Sequence, residues 1–257
     1  ETIPAMIAMT ERLIERGHAY VVDGDVYFAV RSFQKYGKLS GRNIDDLEAG
    51  ARVDVDERKQ DPLDFALWKA AKPGEPHWTS PWGEGRPGWH LECSVMSEQE
   101  LGLTFDIHGG ASDLIFPHHE NESAQSEAAT GEPFVRYWLH GGLLQVNAEK
   151  MSKSLGNFTL LKDVLERYPA PVVRLLMLQT HYRSPLDFST DRLDDASRSY
   201  ERLVTPLRNL EWAKRNRATG ALSEATPSAI DALEEAPTAA RAAFVDAMDD
   251  DFNTAGA

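Results

Sequence analysis

The chain has 257 residues, 42% hydrophobic and 26% charged, which suits about two globular domains with a real core. Cys93 is the only cysteine, so a disulfide-stapled chain is excluded, and no run approaches the roughly 20 apolar residues with which a helix spans a bilayer. The net charge of −14 argues against non-specific nucleic-acid binding by the chain as a whole, and the lone cysteine points to a reducing compartment, the cytoplasm. The start, Glu1-Thr-Ile-Pro, has neither an initiator Met nor the basic-then-apolar pattern of a leader, so the chain reads as an internal piece of a longer protein.

Residues 3–17 carry Ile3, Ile7, Leu13 and Ile14 at helical spacing, with Gly17 as the stop. Tyr20–Val30 alternates around Asp23-Gly24, which predicts a hairpin. Residues 31–87 have weak periodicity, with prolines and glycines from Pro73 to Gly88; they predict a loop-rich insertion with short strands and a buried Phe65-Ala-Leu-Trp68. From Gly88 the pattern changes. It predicts a helix over Leu91–Leu101, a strand over Thr104–His108 ending in Gly109-Gly110, a helix over Pro117–Ala129, and a strand over Phe134–His140 ending in Gly141-Gly142. Strand, helix, strand implies a parallel sheet, whose ligands sit at the carboxyl ends of strands. Helices follow at Thr159–Tyr168 and Val172–Leu178, and again from Asp191, with a linker rich in Ala, Ser, Thr and Pro at Thr219–Pro237.

Charge is unevenly spread. Residues 45–64 and 224–251 are acidic, whereas Arg198, Arg202, Arg208, Lys214, Arg215 and Arg217 crowd a stretch whose acids are Glu201 and Glu211. That stretch is either a solvated helix face or a phosphate-contacting strip.

Pro117-His118-His119-Glu120-Asn121-Glu122 is the densest cluster of ligand-type residues. On a helix His118 and Glu122 share a face, and His119 and Glu122 nearly do, so spacing does not choose between the histidines. Alone, such a pair is an ordinary surface pair. Cys93, on another helix of the same region, adds a sulfur donor, and thiolate, imidazole and carboxylate make a reasonable zinc set. Three ligands with an open position describe a catalytic metal site rather than a structural one. Lys150-Met-Ser-Lys-Ser154, followed by Leu155-Gly-Asn157, is a cationic loop just after the second strand, suited to a triphosphate.

Gly88-Trp-His-Leu-Glu-Cys-Ser94, Phe105-Asp-Ile-His-Gly-Gly110, Asp113-Leu-Ile-Phe-Pro-His-His-Glu-Asn-Glu122 and Lys150-Met-Ser-Lys-Ser-Leu-Gly-Asn157 together closely resemble the cysteinyl-tRNA synthetase family of class I aminoacyl-tRNA synthetases. The resemblance runs from about Thr2 to Thr254 and takes in Asp249-Asp-Asp-Phe-Asn253. It implies an α/β fold class: a partial Rossmann-type parallel sheet with a connective insertion, followed by an α-helical domain. The implied divisions are residues 1–18 (a helix of the Rossmann domain), 19–87 (the insertion), 88–147 (the second half of the Rossmann domain), 148–190 (the lysine loop and stem-contact region) and 191–257 (the start of a helical tRNA-binding domain).

The implied activity is ATP-dependent conversion of L-cysteine to cysteinyl-adenylate and transfer to tRNA(Cys), with zinc as cofactor and ATP, with magnesium, as substrate. By this resemblance Cys93, His118 and Glu122 are zinc ligands, and Trp89 lines the amino-acid pocket. Gly109, Gly110, Ser112 and Asp113 form an adenylate-binding turn, with Ala111 where the family commonly has a third glycine. Lys150 and Lys153 act on the pyrophosphate during activation. The family's His-x-Gly-His string and its fourth zinc ligand, a cysteine, have no counterpart in the sequence, so the chain alone is expected to be inactive. Two alternatives stand beside this reading: the related ligase that joins cysteine to glucosaminyl-inositol in mycothiol synthesis, and a synthetase-derived zinc-binding module without catalysis.

Overall fold

The computed structural model describes residues 1–44, 58–146, 149–151, 159–218, 238 and 240–256. The chain divides into two compact units, Glu1–His140 and Gly141–Ala257.

The first unit opens with α1 (Ile3–Glu15), which buries Met6, Met9, Thr10 and Leu13 along one stripe. The hairpin follows as expected. β1 (Ala19–Val22) pairs antiparallel with β2 (Asp25–Phe28), and Asp23 and Gly24 both take positive φ, 50° and 86°, so the turn's twist matches that of the strands. The next region is more regular than its composition suggests. β3 (Phe65–Ala70), β4 (Trp78–Ser80) and β5 (Gly83–Pro87) extend the hairpin into a five-stranded sheet of order β1-β2-β3-β5-β4, antiparallel throughout. The short strands expected in the insertion are β3, β4 and β5, and what the composition did not suggest is that they join the hairpin in one sheet. β5 is built from glycine, proline and charged residues, yet holds because β3 and β4 pair with it on either side. Leu67 and Trp68 are fully buried, while Phe65 and Ala66 are half-buried. Buried Asp64 ties insertion to hairpin, accepting hydrogen bonds from the Tyr20 hydroxyl at 2.7 Å and the Val30 amide at 2.9 Å.

α2 (Trp89–Leu101) and α3 (Glu120–Thr130) complete this core. Met9, Leu13, Phe28, Leu67, Trp68, Leu91, Val95, Ala124 and Ala128 form one buried cluster. Ala124 and Ala128 present no bulk, which lets α2 and α3 pack closely. α3 begins at Glu120 rather than at Pro117. Residues Ile115–His119 form a separate wide turn broken at Phe116, whose φ of −137° and ψ of 131° are extended. β6 (Phe105–Ala111) and β7 (Val135–Gly141) lie side by side. The Phe105 amide donates to the Phe134 carbonyl at one end, and Gly109 lies against the Leu139 carbonyl near the other, so the strands run in the same direction. Gly109 and Gly110 fall within the last residues of β6 rather than beyond it.

The second unit holds a small sheet of order β10-β8-β9, from β8 (Leu144–Val146), β9 (Glu149–Lys150) and β10 (Leu186–Asp187). β10 runs parallel to β8, and β9 antiparallel to it. α4 (Leu161–Leu165), α5 (Ala170–Leu178) and α6 (Thr190–Ala218) pack around Val164, Val172, Leu176, Leu186, Phe188 and Leu193. Asp251 is gripped from residues 182 and 183. The Arg183 guanidinium reaches Oδ2 at 2.5 Å and Oδ1 at 3.1 Å, and the Tyr182 hydroxyl donates to Oδ1 at 2.9 Å. The predicted linker 219–237 and Lys153 lie outside the described residues. Among the described residues no helix is long and apolar enough to cross a membrane.

Candidate metal centre and active-site residues

Three of the predicted site residues converge in the first unit. The ligand atoms of Cys93, from α2, and of His118 and Glu122, from the turn before α3 and from α3 itself, all lie within 4.8 Å of one another. His118 Nε2 is 3.6 Å from Glu122 Oε1, one helical turn on. The two helices are pinned by polar contacts around that point. The Ser94 hydroxyl donates to the Glu122 carbonyl at 3.3 Å, and the Gln125 amide donates to the His90 carbonyl at 2.5 Å and to the Ser94 hydroxyl at 2.6 Å.

The electrostatics are those of an apolar pocket holding groups that would ionise in water. Burial pushes the Glu122 carboxyl up to about 8. Burial, with the Glu122 and Glu92 carboxylates nearby, pushes the Cys93 thiol up to about 11. Burial lowers His118. It lowers His119 to about 3 and His90 to about 4, with neighbouring histidines adding to the effect. Neutral imidazoles are the form that binds a metal.

The donor set passes a test of fit for a metal ion. Glu122 is 0% exposed, and neither of its oxygens has a hydrogen-bond partner of normal geometry. A fully buried carboxylate without a partner costs several kcal/mol unless a cation or a proton satisfies it. Sulfur, imidazole and carboxylate donors converging there match the preferences of zinc.

The other predicted residues are placed as follows. Trp89, first residue of α2 and 57% exposed, stacks on the His118 ring with centroids 4.2 Å apart and planes at 17°. Gly110 lies directly under His119: a Cβ there would meet its Cε1 at 2.7 Å and Nε2 at 3.0 Å. Ser112 and Asp113 form a short exposed turn after β6. The backbone of Lys150 ends β9, in the second unit. Three histidines of the site, His90, His108 and His140, were not singled out in the sequence, and His119, the alternative to His118 there, lies among them. His90 Nδ1 sits 2.8 Å from His118 Nδ1, His119 Nδ1 sits 2.8 Å from His140 Nε2, and the His108 and His119 rings lie edge to face with centroids 4.7 Å apart. His108 and His140 each precede a glycine pair at the carboxyl end of a strand, a repeated His-Gly-Gly that marks the ligand edge of the sheet.

The basic stretch lies on α6, a 29-residue helix and so about 43 Å long. Its charges are partly matched along the helix. Arg198 pairs with Asp195, Arg208 with Glu201 at 3.1 Å, and Arg215 with Glu211 at 3.4 Å.

Residues 1–198 match the family model described as "tRNA synthetases class I (C) catalytic domain", and the chain belongs to that family. The α/β fold, with β6 and β7 side by side, fits that catalytic domain. The chain is 60% identical over 256 residues to the cysteine–tRNA ligase of Pelotomaculum thermopropionicum, covering 99% of this chain and 51% of that protein. It is 58% identical over 257 residues to the cysteine–tRNA ligase of Caldicellulosiruptor saccharolyticus, covering 100% of this chain and 54% of the relative. The chain thus spans about half the length of the curated relatives it matches. Among solved structures it is similar to Mycobacterium tuberculosis methionyl-tRNA synthetase in complex with methionyl-adenylate. That match has a TM-score of 0.51 at 15% identity, covers 75% of this chain and 48% of the other, and speaks for the fold alone.

Proposed function

We propose that the chain supplies the amino-acid site and the lysine loop of a cytoplasmic cysteine–tRNA ligase, which activates L-cysteine with ATP and magnesium and transfers it to tRNA(Cys). The observation that carries this reading is the convergence of Cys93, His118 and buried, unpartnered Glu122 on one point. Zinc, when bound by these three, supplies a Lewis-acidic position that takes a thiolate. The chain's own residues do the rest. Trp89 walls the pocket and fixes the face of His118 on which it stacks. Gln125 and Ser94 hold α2 against α3, and so hold Cys93 within reach of Glu122. Gly109, Gly110, Ser112 and Asp113 meet the adenylate at the open end of β6, and Lys150 and Lys153 meet the pyrophosphate oxygens as charge develops there. A site built to bind sulfur rejects serine, because a hydroxyl stays protonated where a thiol ionises. The tRNA ligases among the relatives favour tRNA over an amino-sugar–inositol acceptor.

These 257 residues hold neither a His-x-Gly-His string nor a second cysteine, and we expect no adenylate formation from them alone. The function is tested in a chimera in which the chain replaces its counterpart in the Pelotomaculum ligase. Cysteine-dependent ATP–pyrophosphate exchange is expected, falling at least about 100-fold on Cys93→Ala. A folded chimera without exchange, or exchange indifferent to Cys93, overturns the proposal.

A further inference from the structure

Beyond the function proposed above, we propose that the first unit holds a second divalent-metal position, formed by His108, His119 and Glu122 and independent of Cys93. The Glu122 carboxylate faces two ways. Oε1 looks toward His118 Nε2 at 3.6 Å, whereas Oε2 looks toward His108 Nε2 at 3.5 Å and His119 Nε2 at 3.9 Å. The ligand atoms of His108, His119 and Glu122 lie within 4.8 Å of one another, as do those of the Cys93 set. The distances from Oε2 are too long for hydrogen bonds, and Oε2 has no hydrogen-bond partner although Glu122 is 0% exposed. They are close to the roughly 3.4 Å edge of a tetrahedron with metal–ligand bonds of about 2.0–2.1 Å, so small side-chain shifts would close the set on an ion.

Two further features point the same way. His118 and His119 are held alike: each Nδ1 sits 2.8 Å from a nitrogen of another histidine, His90 and His140 respectively, leaving Nε2 turned to the carboxylate. A ligating imidazole is fixed in this manner through its other ring nitrogen. Gly110 keeps the space beside His119 Nε2 open, since a Cβ would lie 3.0 Å from that atom. With two imidazoles, one carboxylate and no sulfur, the position suits borderline ions such as cobalt, nickel or zinc.

The test uses cobalt on the 257-residue chain. The double variant Cys93→Ser, His118→Ala dismantles the first set. It is expected to retain one cobalt per chain after gel filtration, with visible d–d bands and no sulfur-to-cobalt charge-transfer band. Adding His108→Ala or His119→Ala is expected to abolish that uptake, and Gly110→Ala to weaken it at least about tenfold. No cobalt on a double variant that circular dichroism shows to be folded overturns the proposal, as does cobalt that survives the loss of both His108 and His119. Should the double variant unfold, wild-type chain with Cys93 blocked by iodoacetamide replaces it. There, cobalt uptake lost on His108→Ala supports the position, and no uptake contradicts it. The charge-transfer band of unblocked wild type reports the Cys93 set separately, so failure of the second position leaves the proposed function standing.

Discussion

The Gln125 side-chain amide, on α3, donates to the Ser94 hydroxyl of α2 at 2.6 Å, and the same amide reaches the His90 carbonyl at 2.5 Å. Gln125 and Ser94 are both 0% exposed, so this contact is the polar pin between the helix that carries Cys93 and the helix that carries Glu122. Gln125→Ala leaves buried partners unsatisfied. It should cost about 1–3 kcal/mol of stability, read by urea denaturation. It should also weaken zinc binding about 10- to 100-fold, read by competition with a chromophoric chelator. Unchanged zinc affinity would show that the pin does not position the ligands.

Metal uptake should release protons. In the metal-free chain Cys93 is held protonated up to about 11 and Glu122 up to about 8, and zinc displaces both. At pH 7 release should approach two protons per zinc, falling toward one near pH 9, where Glu122 is already ionised. Affinity should rise as pH climbs from 6 to 9. Calorimetry in buffers of different ionisation enthalpy measures the count, and Glu122→Gln should lower it by about one. The raised Glu122 value also carries a sign for stability: the folded state binds the extra proton, so the metal-free fold loses stability as pH rises from about 4 to about 8.

Asp251 behaves in the opposite sense. Its hydrogen bonds from Arg183, then from Tyr182, hold its carboxyl down to about 2. A depressed carboxyl stabilises the fold above its ordinary value near 3.9 and loses that contribution as pH falls through the folded value. Asp251 and Phe252 sit at φ 53° and 55°, the left-handed region that residues with a side chain rarely adopt, and the Arg183 and Tyr182 contacts hold the carboxylate there. Amide chemical shifts of residues 250–254 should therefore stay constant from pH 7 to about 4.5 and move toward disordered values below about 3. Asp251→Asn should show the disordered values already at pH 7; native shifts in that variant would contradict the assignment.

If the proposed function holds, the basic stretch of α6 is the phosphate-contacting strip rather than a solvated helix face. In the chimera, Arg208→Glu with Arg215→Glu should weaken tRNA binding and lower the salt dependence by roughly 0.7–0.9 in log–log slope per lost phosphate contact. Cysteine-dependent exchange should be unaffected. Equal loss of both activities would assign the strip, with its Glu201 and Glu211 partners, to helix stability alone.

Much of the scaffold was legible because it follows single-element rules. The helix was legible from Ile3, Ile7, Leu13 and Ile14, although the stripe it buries is Met6, Met9, Thr10 and Leu13, and Asp23-Gly24 can form the turn of a tight hairpin. The five-stranded sheet was not legible. Gly83, Gly85 and Pro87 argue against a strand, and pairing with β3 and β4 overrides them. The start of α3 was misplaced because Pro117 suits a first helical turn, whereas the wide turn through Phe116 is set by packing. At the site, Cys93, His118 and Glu122 stood out by donor type and by family resemblance. Spacing left His118 and His119 undecided, and His90, His108 and His140 are common residues whose meaning comes only from the strand–helix packing that gathers them.

The central claim, that Cys93, His118 and Glu122 hold a metal that takes the substrate sulfur, is tested most directly by X-ray absorption at the zinc edge on the chain loaded with one equivalent of zinc. One sulfur at about 2.3 Å is expected with nitrogen and oxygen neighbours, rising to two sulfurs on addition of L-cysteine and staying at one with L-serine. A zinc shell without sulfur, or a sulfur count that ignores L-cysteine, would contradict the account.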